Sequence, residues 1–124
     1  MKITGSAEMY LETIHILSKK DAPIRSIDIA GKMGFSKPSV SRAVSNLKNE
    51  GCILINENGH ISLTDKGLAI AKKIYERHEI LTDLLISLGI DPQTAEDDAC
   101  RIEHVISDES FGMIKKHLKE KTAS

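Results

Sequence analysis

The stretch from Ile24 to Leu63 constrains this chain more than any other: I-R-S-I-D-I-A-G-K-M-G-F-S-K-P-S-V-S-R-A-V-S-N-L-K-N-E-G-C-I-L-I-N-E-N-G-H-I-S-L. A short helical run, Ser26 to Met33, stops at Gly34, and a second opens behind Ser36 with Pro38 in its first turn. Glycine just past one helix and proline just inside the next predict two helices joined by a tight turn. The first of these should bury Ile27, Ile29, Ala30 and Met33, and the second Val40, Ala43, Val44 and Leu47. Gly51 ends the second helix. Cys52 to Ile55 then reads as a strand, Glu57-Asn58-Gly59-His60 as a tight turn and Ile61 to Leu63 as the return strand, since Asn-Gly is a strong hairpin signal.

Helix, turn, helix and hairpin in that order describe a winged helix-turn-helix. The second helix of such a unit stands out to enter a DNA major groove, and the hairpin lies over the backbone or minor groove. Lys37, Pro38, Ser39, Ser41 and Arg42 occupy the outward N-terminal part of that helix. Small residues there permit close approach, and the two bases suit phosphates or guanine edges. The alternative is an ordinary solvated face. His60 is the only basic group on the wing, so the expected phosphate contact there is modest.

Around this reader the pattern is helical. Ser6 to Ser18 carries Ala7, Tyr10, Leu11, Ile14 and Leu17 at helical spacing and should end before Pro23. Thr64 should cap a helix of about 25 residues ending at Gly89, with Leu63 and Leu68 placed as a hydrophobic staple. Asp91-Pro92 starts another, in which Thr94 to Ile106 forms the key helix of the second half. Asp108 is placed to cap a last helix carrying Phe111, Met113, Ile114 and Leu118, and the tail from Lys119 should fray. The expected fold class is therefore mainly α, with a winged helix-turn-helix over 1–67 followed by an all-helical domain over 68–124.

Charge divides along the same line. Residues 1–67 carry nine Lys/Arg against seven Asp/Glu, and residues 68–124 eight against eleven. A mildly basic reader joined to an acidic segment suits DNA binding coupled to sensing or dimerisation, although an acidic half is equally an ordinary solvated surface. The second half has apolar stripes on several helices but few residues for a large core, so pairing with its own copy in a two-fold homodimer is expected. Aromatics are only 3% of the chain, which argues against stacking platforms for single-stranded nucleic acid. Neither a signal-peptide pattern nor a membrane-spanning apolar run is present, and a cytoplasmic location is expected. Cys52 and Cys100 are then a core thiol and a candidate ligand rather than a disulfide.

The feature richest in chemistry is Cys100-Arg101-Ile102-Glu103-His104. On a helix, positions 100, 103 and 104 share one face, bringing thiolate, carboxylate and imidazole together as donors for a divalent transition metal. Met9 and Glu12 on the first helix and His78 on the long helix are further ligand types. Singly, Met9 reads as core, Glu12 as solvent-facing and His78 as a surface histidine. Jointly they make the first helix a clamp between sensor and reader, through which metal binding would orient the reader.

These segments together — A-E-M-Y-L-E at Ala7, the winged reader, Y-E-R-H-E at Tyr75 and C-R-I-E-H at Cys100 — resemble the DtxR/MntR metal-dependent transcriptional repressors over Ala7 to Leu118. The resemblance implies a homodimeric repressor that binds double-stranded operator DNA when loaded with Fe(II) or Mn(II), silencing metal-uptake genes. It implies ligands at Met9, Glu12, His78, Cys100, Glu103 and His104. The iron branch uses the methionine and cysteine represented by Met9 and Cys100. The manganese branch has carboxylates there and shares Glu12 and His78, so the chain mixes the two patterns. Thioether and thiolate favour Fe(II), and in vitro Co(II), Ni(II) or Zn(II), over Mn(II).

Two departures matter. The iron branch carries an SH3-like domain that the 124 residues are too few to include. Its ancillary ligands would fall at His78, Thr82 and Glu96, where Thr82 replaces a carboxylate poorly. A second metal is therefore expected from Glu12 and His78, sharing Glu103. Two other readings remain from residues alone: a winged-helix regulator answering to a small molecule or to redox state, with Cys100, Glu103 and His104 structural, and an enzyme using Glu103 as a base. No catalytic motif supports the enzyme, and none is expected.

Overall fold

Pro23, Gly34 and Pro38 punctuate the first half of the chain as the helix signals require. In the computed structural model, which describes residues 5–123, α1 spans Gly5–Ser18, α2 Ser26–Met33 and α3 Lys37–Asn49. Strands β1 (Ile53–Ile55) and β2 (Ile61–Leu63) follow, then α4 (Asp65–Ser87), α5 (Pro92–Ile102) and α6 (Asp108–Ala123). The fold is mainly helical with one antiparallel ribbon, paired Ile53 to Leu63, Leu54 to Ser62 and Ile55 to Ile61. Two compact units divide between Lys72 and Lys73.

In the first unit the turn between α2 and α3 is set by backbone chemistry. Gly34 takes the left-handed conformation at φ 72°, where a side chain is disfavoured, and its N–H returns to the Ala30 carbonyl. Ser36 then caps α3, accepting from the Ser39 N–H at 3.3 Å. Val40, Val44 and Leu47 are buried on α3 and Ile29 and Ala30 on α2. They join Tyr10, Leu11 and Ile14 of α1 and Cys52, Ile53 and Ile61 of the hairpin in one core. Ile27 departs from expectation: it is 57% exposed. Eight residues give α2 little more than two turns, and Ile29 and Ala30 already fill its inward face.

Asn56 closes the wing. Its side-chain oxygen accepts from the N–H groups of Asn58 and His60, and its own N–H donates to the His60 carbonyl at 3.0 Å. An isolated bridge from Ile24 to Ile61 adds one further rung of backbone pairing on the other side of β2. Thr64 joins wing to helix: its N–H donates to the Cys52 carbonyl, its hydroxyl to the Gly51 carbonyl, and its oxygen accepts from the Gly67 N–H. The expected helix cap at Thr64 is thus present.

In the second unit Asp91 caps α5, accepting from the N–H groups of Gln93 and Thr94. Three expectations are corrected. The helix expected to run to Ile106 ends at Ile102, and in the turn over 103–106 the carbonyls of Glu103 and Ile106 go to Arg77 instead of onward helical partners. Asp108 does not cap α6. Ser107 does, accepting from the Ser110 N–H at 3.0 Å, and the Asp108 carboxylate is engaged by Lys73 and Arg77. Helix α6 runs to Ala123. Ser124 lies outside the described residues. Val105 and Met113, expected on inward stripes, are 82% and 62% exposed. No helix among the described residues is long and apolar enough to cross a membrane.

Candidate metal centre

Helix α4 and the turn after α5 bring together His78, Glu103 and His104. Glu103 is fully buried, a placement that carboxylates rarely tolerate without compensating partners. His78 Nδ1 donates to its Oε2 at 2.9 Å, and His104 Nε2 lies 3.3 Å from its Oε1. His78 also stands 4.0 Å from Glu96, which is largely exposed on α5. Cys100, one turn before His104 on α5, is a half-buried thiol outside any disulfide. The shared helical face assumed for 100, 103 and 104 holds only in part, because Glu103 and His104 belong to the turn. Glu103 nevertheless keeps a helical backbone, φ −58° and ψ −26°, with its N–H on the Ala99 carbonyl.

The donors fit a divalent ion. Glu103 Oε1 accepts no hydrogen bond among the described residues, although it is buried and faces an imidazole. A carboxylate with two imidazoles is the donor set of a transition-metal site rather than of a Ca²⁺ or Mg²⁺ cage.

In the first unit Met9 is half-buried and Glu12 buried on α1. The burial of Glu12 departs from the solvent-facing alternative. The Thr13 hydroxyl donates to the Met9 carbonyl, one turn back on the same helix.

The residues expected to read DNA are all exposed: Lys37, Pro38, Ser39, Ser41 and Arg42. The Ser36 hydroxyl donates to the Ser39 hydroxyl at 2.9 Å, so Ser39 is partly tied into the cap. Lys37 and Ser41 line a recess of about 220 Å³ with Ser26 and Ile27 of α2. Two residues escaped the sequence reading. Arg25, beside His60 at 3.4 Å, adds a cation at the base of the wing. Arg77 is buried and organises the turn that carries Glu103. A lone arginine in a helix carries no sequence signal of burial; its position immediately before His78 was the one available hint.

A winged helix-turn-helix followed by a helical unit with clustered metal-type donors defines a class of DNA-binding regulators. The chain belongs to the iron-dependent repressor family: residues 2–61 match its N-terminal DNA-binding domain and residues 64–123 its metal-binding and dimerisation domain. It is 31% identical over 124 residues to the iron-dependent repressor IdeR of Mycobacterium tuberculosis, covering 99% of this chain and 54% of that protein. It is 33% identical over 120 residues to the uncharacterised HTH-type transcriptional regulator MJ0568 of Methanocaldococcus jannaschii, covering 95% and 96%. Among solved structures, the manganese regulator SloR superposes with a TM-score of 0.83 at 31% identity over 96% of this chain and 55% of that one. The chain thus spans about half the length of the repressor IdeR and of SloR, and nearly all of the Methanocaldococcus protein.

Proposed function

We propose that this protein is a metal-dependent transcriptional repressor that binds double-stranded operator DNA as a cytoplasmic homodimer and controls metal uptake. The observation that carries this reading is the buried Glu103 carboxylate with His78 and His104 against its two oxygens, in a chain that also holds an exposed helix suited to a major groove. Cys100, Glu103 and His104 form the main donor set, with Met9 from α1, and Glu12 with His78 and Glu103 a second. The reader is 1–67 and the sensing and dimerising part 68–124. In this reading Fe(II) is preferred over Mn(II), with Co(II), Ni(II) or Zn(II) accepted in vitro, because thioether and thiolate are soft donors.

A bound divalent ion supplies the positive charge that lets thiolate and carboxylate share a buried site. The protein's own groups do the rest. His78 orients the Glu103 carboxylate through its Nδ1–H, and burial keeps water from competing for it. On α3, Lys37 and Arg42 hold the phosphate backbone or guanine edges, while Pro38, Ser39 and Ser41 keep the helix surface low enough to approach base edges. Exposed Ile86, Leu88, Val105 and Met113 give the second unit apolar surface for a partner copy.

The test is DNA affinity under anaerobic conditions, by fluorescence anisotropy, with a duplex selected from a random pool by the Co(II)-loaded chain. Affinity should rise at least roughly tenfold with Fe(II) or Co(II), the low end of usual allosteric couplings, and the rise should vanish in Glu103→Gln and His104→Ala. Equal affinity after thorough chelation would refute the reading.

A further inference from the structure

We propose that Arg77 is a positioning residue for the metal centre, its guanidinium fixing the turn that presents Glu103 and His104. The proposal rests on the metal-sensing reading above and deepens it. Arg77 is only 6% exposed, yet it belongs to none of the donor positions. Its Nη1 donates to the Glu103 carbonyl at 3.2 Å and to the Ile106 carbonyl at 2.8 Å, and its Nη2 donates to the Asp108 carboxylate. The Phe111 ring lies 5.3 Å from its central carbon, within cation–π range. One planar group therefore reaches the residue that ends α5, a carbonyl near the end of the turn and the first residue of α6.

Carbonyls at a helix end have no intrahelical partner, and a buried end without one is costly. Arg77 satisfies one of them, the Glu103 carbonyl at the end of α5, and also the Ile106 carbonyl in the turn beyond it. Glu103 is held at both ends by neighbours on α4, its carbonyl by Arg77 and its carboxylate by His78. The same residue that stops α5 at Ile102 thus sets where the carboxylate stands. Lysine would preserve the charge but not this geometry, because an ammonium lacks the planar fork that spans separate acceptors. Asp108, 75% exposed and also paired with Lys73 at 3.1 Å, braces the outer edge of the guanidinium.

The test compares the full-length wild type with Arg77→Lys and Asp108→Asn, using Co(II) alone as the probe. Co(II) affinity and the ligand-field absorption bands are measured anaerobically, and amide exchange of Val105 and Ile106 is measured in the metal-free chain. Arg77→Lys should weaken Co(II) roughly tenfold to a hundredfold, the usual effect of removing a group that orients a ligand, and should shift the bands. It should also speed exchange at Val105 and Ile106, whose N–H groups both donate to the Ile102 carbonyl. Asp108→Asn should weaken Co(II) less, by about threefold, since both carbonyl bonds remain. A folded Arg77→Lys chain with wild-type affinity, bands and exchange overturns the proposal. Should that variant fail to fold, Asp108→Asn decides alone, and wild-type affinity with unshifted bands overturns it. Absence of saturable Co(II) binding in the wild type sinks the metal-sensing reading instead.

Discussion

Replacing Gly67 by alanine should destabilise the first unit, although the same exchange inside a helix ordinarily stabilises. Gly67 lies in the first turn of α4 and is buried where the Cys52 backbone crosses it. A methyl group there would stand 2.0 Å from the Cys52 carbonyl oxygen and 3.0 Å from its carbon, so the backbone at the start of the wing must move. That carbonyl also accepts from the Thr64 N–H, and displacing it strains the junction between wing and helix. Overpacking against backbone belongs at the upper end of its range, about 3 kcal/mol. The gain in helix propensity returns about 1 kcal/mol. The net loss is about 2 kcal/mol, roughly a thirtyfold fall in the folding equilibrium constant. Gly31 in α2 is the internal control, since nothing lies within 4 Å of its added methyl. Gly31→Ala should stabilise by about 0.5–1 kcal/mol. Urea unfolding followed by circular dichroism reads both variants. If Gly67→Ala stabilises as Gly31→Ala does, the close approach described for the wing is wrong.

Three further outcomes are expected. Lys37→Ala and Arg42→Ala should each weaken DNA binding and lower the slope of log K against log salt by about one for every phosphate no longer neutralised; Co(II) affinity should hold, and an unchanged DNA affinity in both would remove them from the reading face. Met9→Asp combined with Cys100→Glu replaces two soft donors with oxygen and should shift preference from Fe(II) toward Mn(II), and a competition assay showing the same metal order would refute the softness argument. Asp108 is held below the usual carboxylate range chiefly by the Lys73 hydrogen bond and charge, with Arg77 adding to it. Its contribution is thus present above the unfolded value of about 3.9 and lost as pH falls through the lower folded value. The melting temperatures of wild type and Asp108→Asn should converge below about pH 4, and a constant gap down to about pH 2 would contradict that.

Much of the reader was legible because its punctuation is local. Gly34, Ser36, Pro38 and the Asn58-Gly59 pair act on their own backbone or on neighbours three or four residues away, and α2 falls where they place it. The rim of the core was less legible. Ile27, Val105 and Met113 carry apolar side chains outward, and spacing alone does not distinguish a buried stripe from surface left for a partner. The metal centre was legible as a set of residue types but not as geometry. Sequence spacing continued α5 through Ile106, because the guanidinium that stops it comes from Arg77, far earlier in the chain. Burial of Glu103 is likewise a long-range result, since nothing in C-R-I-E-H itself dictates it.

The rung between Ile24 and Ile61 limits where this chain can tolerate a change of length. Ile61 faces Ile55 across the ribbon while its N–H is held by the Ile24 carbonyl, so the wing is tethered on both flanks. Adding a residue on β2 would disturb both pairings at once, and adding one on β1 would shift the ribbon register and turn its apolar side chains outward. Relatives that differ in wing length should therefore carry their insertions at Glu57 to Gly59, a cassette that could be exchanged between regulators without disturbing the domain that bears it.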